Sequence, residues 1–291
     1  MIRFADEGMR GQLRELWSAC FGDSNAYVDL YFEQHDAARH TMVFLDGDHI
    51  ASMLSLLPMT VVTQAGILPA RYVYAVATLP SYRGRGISTK LLAAAHKSMR
   101  EAGVKLSVLV PSNAALYNFY GKRGFDTEFY SGRAIVPRDR IMPYEKSFAI
   151  SEATASEFML LRERAFAGRT MFVRWDGDAL AYRLTETAFG GGETLLLEAG
   201  GTRAVAVCRN DGGSVRVKEL ALDGMDVRTA LSVLQSKYNA DEYHLTLPPD
   251  MACPFPLERV AAGVTCWYDA AARERVFEHP GRAPYISLVL D

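Results

Sequence analysis

The sequence predicts an α/β protein of mixed (α+β) type, built from two similar units in tandem. A β-branched run at residues 72–78 leads into a glycine-containing loop and then into a stretch with helical spacing. The length of 291 residues suits two domains of average size. A similar order of helices and strands returns weakly after residues 138–144, which contain Pro143 and directly follow Pro137. We therefore predict domains at 1–140 and 145–291.

The first half begins with a short strand at residues 1–3 and an amphipathic helix at 11–21. Asp23 or Ser24 can cap a second helix that carries several aromatic residues. Strands follow at 41–45 and 50–62, with a hairpin turn between them. The favoured interpretation of the aromatic side chains on the two helices is core packing; they are Trp17, Phe21, Tyr27, Tyr31 and Phe32. Cys20, on the first helix, is interpreted as a buried thiol.

The loop after the strand at 72–78 has the composition of an anion-binding turn. Gly84 and Gly86 allow backbone N–H groups to turn toward a ligand without an obstructing Cβ. The following helix, with Leu91, Leu92, Ala95 and Met99 on one face, adds unpaired donors and the positive end of its dipole. Arg83 and Arg85 add positive charge. These features predict a pyrophosphate site.

Two known phosphate loops do not fit this stretch. A Walker A loop needs four residues between its glycines, and a dinucleotide fingerprint needs a third glycine where this chain has Thr89. The loop resembles instead the Arg-x-x-Gly-x-Gly/Ala pattern of the GCN5-related N-acetyltransferases (GNAT). Arg83, Gly86 and Ser88 match that pattern, with Ser88 in place of the usual Gly or Ala. The wider phrase at residues 77–87 is similar as well.

A second block at residues 113–125 resembles the second conserved segment of the same family, a helix with an asparagine and a tyrosine that ends in Gly-Phe. The apolar run at 106–110 between the blocks reads as a buried parallel strand. The resemblance implies a mixed, mostly antiparallel sheet flanked by helices in each unit. It also implies acetyl-CoA as co-substrate, with no metal.

The resemblance assigns site residues in the first half only. The strand before the loop would pair with the pantetheine arm, the loop would hold the pyrophosphate, and an asparagine would bind the pantetheine or cap its own helix. Tyr120 would be the acid that protonates the leaving thiol, with Tyr117 as the competing candidate. The implied cofactor-binding residues are Val76, Ala77, Thr78, Arg83, Gly84, Arg85, Gly86, Ile87, Ser88 and Asn113.

The general base stays open. Many GNAT proteins carry a glutamate on the strand before the loop, where this chain has Tyr72 and Tyr74. A relay of water molecules ranks first among three interpretations. The others are a carboxylate from Glu33 or Glu128 and a carboxylate from the second half of the chain.

The second half repeats the order of the first without its loop. Helices are predicted at 156–166, 178–189 and 227–238, and strands at 194–198, 203–208, 215–221 and 243–247. Where the first half has its arginines, this half has Asp223 and Asp226. Like charges at roughly 4 Å repel by about 4 kcal/mol at an effective dielectric constant near 20. We therefore predict a degenerate unit that does not bind coenzyme A.

Composition limits the classes of partner. A formal net charge of −2 argues against a broad nucleic-acid-binding surface. The four cysteines and six histidines show no metal-ligand spacing. Neither a signal peptide nor an apolar run near 18 residues is evident, which predicts a cytoplasmic protein without membrane contact, as monomer or homodimer.

The chain resembles tandem-GNAT proteins, including the enhanced-intracellular-survival type. In that type the C-terminal carboxylate reaches the first active site; whether Asp291 does so here is open. The leading hypothesis is acetyl-CoA-dependent acetylation of a primary amine, on a small molecule or a peptide, by direct transfer in a ternary complex. The alternative is a non-catalytic regulatory protein that binds acyl-CoA. Aminoacyl transfer from tRNA is disfavoured by the intact loop and the lack of a basic stripe.

Overall fold

The computed structural model describes residues 1–34 and 37–289. The chain divides into two compact units that interleave along the sequence. Unit 1 comprises Met1–Val61, Ile67–Asp126 and Val264–Arg273, and unit 2 comprises Val62–Gly66, Thr127–Gly263 and the described part of Glu274–Asp291. The sequence analysis placed a single boundary at residues 140–145, because pairing between strands more than a hundred residues apart leaves no local signal.

Unit 1 alternates helices and strands in the order that the sequence predicts. Its elements are β1 (Ile2–Phe4), α1 (Arg10–Phe21), α2 (Asn25–Gln34), α3 (Ala37–His40), β2 (Thr41–Asp46), β3 (His49–Thr63), β4 (Gly66–Thr78), α4 (Ile87–Glu101), β5 (Leu106–Leu109) and α5 (Ala114–Gly121).

The rest of the chain contains the elements of unit 2, and its last strand and helix extend into unit 1. These elements are β6 (Asp126–Pro137), β7 (Phe148–Glu152), α6 (Ala155–Phe166), β8 (Met171–Arg174), α7 (Gly177–Phe189), β9 (Gly192–Ala199), β10 (Thr202–Asn210), β11 (Ser214–Asp223), α8 (Val227–Lys237), β12 (Glu242–Leu247), β13 (Glu258–Trp267) and α9 (Ala270–Glu278). The sequence analysis assigned no element to β6, β7, β8, β13 or α9.

The sheet of unit 1 has the order β1-β2-β3-β4-β5, followed by the end of β13. The pairs β1–β2, β2–β3 and β5–β13 are antiparallel, whereas β4 and β5 are parallel. In the last pair Val264 lies opposite Leu109 and Trp267 opposite Leu106. The final strand of this sheet therefore comes from the far end of the chain.

The sheet of unit 2 repeats this pattern in the order β7-β9-β10-β11-β12-β6. Its pairs are antiparallel except for β11 and β12, which are parallel and correspond to β4 and β5. Helix α8 follows β11 as α4 follows β4. The prediction of two mixed, mostly antiparallel units flanked by helices is confirmed.

The core of unit 1 forms where α4 packs on the sheet. The four apolar residues predicted on one face of this helix are all buried, and all four residues of β5 are buried as well. Tyr120 and Phe125 join the same cluster, together with Val264 and Cys266 of β13. This packing fixes the beginning of α4 and the end of α5 on one face of the sheet.

The chain after α9 runs beside β8 within unit 2. Tyr285 N–H donates to Met171 O at 3.0 Å, and Val173 N–H donates to Tyr285 O at 3.2 Å. The described part of this segment pairs within unit 2 through isolated bridges and forms no regular strand. Asp291 lies outside the described residues.

A buried ion pair holds this segment in unit 2. Glu219 accepts two hydrogen bonds from Arg162 Nε, at 2.9 and 3.2 Å, and a further one from Ser287 Oγ. Arg162 also donates to Ser287 Oγ at 3.0 Å and to Val173 O at 2.7 Å. Since Glu219 is 0% exposed, each oxygen of its carboxylate depends on these partners.

No helix within residues 1–34 and 37–289 is long and apolar enough to span a lipid bilayer.

Candidate coenzyme-binding and acyl-transfer site

A glycine-containing turn connects the end of β4 to the beginning of α4. Gly84 and Gly86 have φ angles of +77° and +70°, in the left-handed region that favours glycine. A Cβ added at either position would meet nothing within 4 Å, so the space beside this backbone is open. Gly86 is the N-cap of α4 and makes no side-chain cap hydrogen bond, which leaves first-turn amide donors for a ligand. The turn therefore has the geometry of an anion cradle.

The two loop arginines make different contacts. Arg83 donates from Nε to Thr78 O at 3.0 Å, and its Nη2 lies 4.0 Å from Cys20 Sγ. Arg85 lies with its guanidinium carbon 5.1 Å from the centroid of the Tyr82 ring. Both arginines are exposed, but only Arg83 connects the loop to the end of β4 through a hydrogen bond. Cys20, expected to be buried, is half-buried beside Arg83.

The edge of β4 next to the loop is not paired with β5. Parallel pairing covers only Ala70, Arg71 and Tyr72 of β4. Ala75 then adopts φ of +49°, which is unusual for a residue with a Cβ and marks an irregularity in the strand. The backbone from Val76 to Thr78 is therefore separated from β5, as the resemblance implies for a strand that receives an extended ligand arm.

Some backbone carbonyls near this edge already accept hydrogen bonds from side chains. Ser52 Oγ donates to Ala77 O at 2.6 Å, so this carbonyl faces β3. Because successive residues of a strand point their backbone groups to opposite sides, Val76 and Thr78 face the β5 side. Thr78 O accepts from Arg83, which leaves Val76 as the residue best placed to pair with a ligand.

Tyr120 lies at the end of α5 with its ring in the core. Only 6% of the residue is exposed, and its ring contacts Phe119 and Phe125 edge-on at centroid distances of 5.1 and 5.6 Å. Its hydroxyl makes no hydrogen bond to another described residue. Burial raises the pKa of Tyr120 to about 12, and the positive charge of Arg123 opposes that shift. Tyr120 therefore keeps its proton at neutral pH and has an uncommitted donor.

Asn113 acts as the N-cap of α5. Its Oδ1 accepts from Leu116 N at 3.1 Å, and the residue is exposed. This contact corresponds to the capping alternative for Asn113. Tyr117, the competitor of Tyr120, lies one turn earlier and is half-buried.

The face of β4 opposite Val73 carries Tyr72 and Tyr74. Tyr74 Oη lies 3.2 Å from Tyr27 Oη, and both residues are half-buried. Trp17 and Tyr31 are 1% exposed, and Trp17 Nε1 donates to Asp23 at 2.8 Å. These last two aromatic residues are core, whereas the Tyr27–Tyr74 pair is partly accessible.

The two carboxylates named as candidate general bases differ in burial. Glu33 is exposed near the end of α2. Glu128 is half-buried on β6, in unit 2. Within residues 1–34 and 37–289, no group of three His, Cys, Asp or Glu side chains could hold a metal ion.

Arg123, just after α5, reaches the first turn of α4. It donates to Thr89 Oγ1 from Nε at 3.1 Å and from Nη2 at 2.6 Å, and Nη1 donates to Phe119 O at 2.5 Å. Its guanidinium carbon lies 3.4 Å from the centroid of the Phe119 ring. The sequence analysis did not single out Arg123, although the Lys-Arg pair after the Tyr-Gly step was a visible signal.

A buried polar cluster behind α4 also escaped the sequence analysis. His96 Nδ1 and Ser107 Oγ each lie 2.7 Å from Tyr268 Oη. Burial, and secondarily Arg100, lower the pKa of His96 to about 4. Because Tyr268 is 161 residues from Ser107 in sequence, no local pattern could have joined them. This cluster anchors the end of β13 to unit 1.

The structure thus brings most of the predicted site residues together. Residues 76–78 lead directly into the loop at 83–88, and both Val76 and Tyr120 pack on the hydrophobic cluster beneath α4. Asn113 lies at the other end of α5 from Tyr120.

Comparison with known proteins finds a family match over the first part of the chain. Residues 1–127 match the family described as the acetyltransferase (GNAT) domain. None of the curated proteins compared with the chain matches it.

Several solved structures share the fold over nearly the whole chain. A probable N-acyltransferase from Enterococcus faecalis V583 is 16% identical with a TM-score of 0.74, covering 91% of this chain and 72% of that one. A GCN5-related N-acetyltransferase from Kribbella flavida is 18% identical with a TM-score of 0.73, at 94% and 73% coverage. Eis1 from Mycobacterium abscessus is 14% identical with a TM-score of 0.70, at 94% and 75%. Both units therefore fall within a fold shared with these proteins.

Proposed function

We propose that this protein is an acetyl-CoA-dependent N-acetyltransferase, because residues 1–127 match the GNAT acetyltransferase domain family. Its acceptor is a primary amine of a small molecule or a peptide, and transfer is direct within a ternary complex. One observation carries the proposal: the unpaired edge of β4 leads into an open glycine cradle at the beginning of α4, on the face where Tyr120 lies.

The residues present fit coenzyme A. Amide groups of the turn at 84–88 and the charge of Arg85 suit the pyrophosphate, because the helix is left without a side-chain cap. Val76 offers backbone groups to the amides of the pantetheine arm, as an added strand would receive them. Arg83 keeps the turn attached to β4 through Thr78 O.

Acetyl-CoA, when bound, supplies a thioester that is already activated toward an amine. Tyr120 holds a proton at Oη and directs it to the sulfur as the C–N bond forms and the C–S bond breaks. Its pKa of about 12 lies well above the ~8.5 of an ordinary thiol, so Tyr120 acts mainly by donating a hydrogen bond to the developing thiolate. The uncommitted hydroxyl of Tyr120 supports this role.

The amine must lose a proton before or during attack. We propose that water carries this proton away, since the strand position that many relatives fill with glutamate holds Tyr74, bonded to Tyr27. The Tyr27–Tyr74 pair can hold a water molecule or orient the amine, because each hydroxyl both donates and accepts.

We propose that unit 2 does not bind coenzyme A. The first turn of α8 is capped by Asp226, whose Oδ1 accepts from Thr229 N at 2.8 Å. Asp223, in the same turn, forms an ion pair with Arg164 at 3.2 Å, so Asp226, which has no ion pair among the described residues, supplies the negative charge at the place that corresponds to the cradle. No helix corresponding to α5 follows β12 within the described residues, and so unit 2 lacks a counterpart of Tyr120.

A non-catalytic regulatory protein that binds acyl-CoA is the second candidate. The specific observation in its favour is that Tyr74 of β4, hydrogen-bonded to Tyr27 of α2, stands where an acidic residue was expected. A monomeric or homodimeric state, a cytoplasmic location and the absence of nucleic-acid or membrane partners remain predictions from the sequence.

The test is release of free thiol from acetyl-CoA across a panel of polyamines, amino acids, peptide N-termini and aminoglycosides, with mass spectrometry of each product. An amine that gains 42 mass units, about one acetyl group in place of hydrogen, would support the proposed enzyme. Binding of acetyl-CoA without consumption across the whole panel would favour the regulatory alternative.

A further inference from the structure

Arg123 is held rigidly between the coenzyme cradle and α5. Three hydrogen bonds, two to Thr89 and one to Phe119 O, fix its guanidinium, and the Phe119 ring covers one face of the group. Thr89 is the third residue of α4, so the charge of Arg123 lies at the first turn of this helix. A side chain with this many fixed contacts loses little further freedom when it binds a ligand.

The positive charge of Arg123 has no negative partner in the described part of the chain. Its contacts are a hydroxyl, a carbonyl and an aromatic ring, and no carboxylate of a described residue lies within ion-pair distance. A guanidinium has five N–H donors, so three hydrogen bonds leave two donors unused. Since Arg85 and the positive end of the α4 dipole also lie in this region, the free protein gains no electrostatic stability from a further cation there.

We propose that Arg123 binds the 3′-phosphate of coenzyme A and makes the site discriminate against cofactors that lack this group. The inference rests on the proposed function. Coenzyme A carries a second anionic group one ribose away from its pyrophosphate, and the glycine turn accounts for the pyrophosphate alone. An immobilised guanidinium with spare N–H donors matches the geometry of a phosphate, which accepts paired hydrogen bonds.

A purely mechanical role for Arg123 leads to different expectations. Through Thr89 and Phe119 the residue also joins α4 to α5, next to Tyr120. If Arg123 only held the two helices together, its removal would weaken the binding of all cofactors equally, whether or not they carry the 3′-phosphate. If it binds the 3′-phosphate, only the cofactors that carry this group are affected.

The test is calorimetric binding of acetyl-CoA and of 3′-dephospho-acetyl-CoA to the full chain and to Arg123→Gln. The matched control is Lys122→Gln, because Lys122 is the adjacent exposed cation and makes only a backbone hydrogen bond among the described residues. The wild-type chain should bind acetyl-CoA roughly 10- to 100-fold more tightly than the dephospho form, as expected for a charge-assisted contact. Arg123→Gln should lose this preference because it binds acetyl-CoA more weakly while its affinity for the dephospho form is unchanged. Lys122→Gln should keep the preference.

Each outcome decides the proposal. Equal weakening of both cofactors by Arg123→Gln would mean that the residue only holds the two helices together and would overturn the inference, while the proposed function would stand. Unchanged binding of both would overturn it as well. If the wild-type chain bound neither cofactor, the proposed function and the inference would fail together.

Discussion

Replacement of Tyr120 by phenylalanine tests the chemistry of the site. The pKa of about 12 for Tyr120 exceeds that of an ordinary thiol by ~3.5 units, which makes complete proton transfer unfavourable by about 5 kcal/mol. Tyr120 should therefore act as a hydrogen-bond donor to the developing thiolate, and such a bond to a charged group contributes about 1.5–3 kcal/mol. The variant should lower kcat roughly 10- to 100-fold and leave the dissociation constant of acetyl-CoA little changed.

The same substitution should not harm the fold. The hydroxyl of Tyr120 has no hydrogen-bond partner among the described residues, so its removal leaves no group unsatisfied. Its raised pKa also means that Tyr120 stays protonated as the pH rises to 10, so it should produce no alkaline limb in the pH–rate profile below that value.

The assay is steady-state thiol release with the best amine, combined with a melting curve for each variant. Tyr117→Phe is the matched control, since this half-buried tyrosine lies one turn earlier on α5. An unchanged kcat for Tyr120→Phe would remove Tyr120 from the mechanism. A tenfold loss in Tyr117→Phe alone would transfer the role to Tyr117.

Three further predictions concern the cradle and the stability of each unit. Gly86→Ala should weaken acetyl-CoA binding about tenfold in calorimetry, because a Cβ at φ near +70° strains the turn by roughly 1–2 kcal/mol. The control is Gly103→Ala, at φ of +71° beyond the other end of α4. It should lower the free energy of unfolding in urea by a similar amount and leave the affinity for acetyl-CoA unchanged. The neutral form of His96 is favoured in the folded state, so its contribution to the free energy of unfolding is complete above pH 6.5. This contribution should fall by up to about 3 kcal/mol as the pH drops to 4. In urea titrations, His96→Phe should show a weaker dependence of stability on pH. Glu219→Ala should destabilise unit 2 by about 3–5 kcal/mol in urea unfolding, because it leaves Arg162 as an uncompensated buried charge.

The opposite results would be informative in each case. Equal loss of affinity in the two glycine variants would mean that the turn acts only through general stability. An identical pH dependence with and without His96 would show that other groups control acid sensitivity. A change below 1 kcal/mol for Glu219→Ala would mean that water replaces the lost carboxylate.

Much of unit 1 could be predicted because its signals are local. The loop at 83–88 and the segment at 113–125 keep their chemistry within a few residues, and the spacing of the apolar residues of α4 matches its buried face. The chain order of unit 2 was visible for the same reason. Strand β13 could not be predicted as a strand of unit 1, since its pairing with β5 depends on contacts between residues more than 150 positions apart.

Side-chain contacts were the least predictable part of the site. The sequence does not distinguish the roles of Arg83 and Arg85, whereas in the structure Arg83 donates a hydrogen bond to Thr78 O. Asn113 serves its own helix, and Arg123 acquires its place only when α4 and α5 pack together. Composition and spacing define which groups are present, but packing determines where their donors point.

Thermal unfolding with and without saturating acetyl-CoA, with ATP and NAD as controls, tests the binding of coenzyme A most directly. At about 100 times its dissociation constant, a ligand adds roughly 2.7 kcal/mol to the unit that binds it, which should raise a melting transition by several degrees. We predict that acetyl-CoA produces this shift and that ATP and NAD do not. No shift with acetyl-CoA, or an equal shift with ATP, would contradict the assignment of the glycine turn as a coenzyme A cradle.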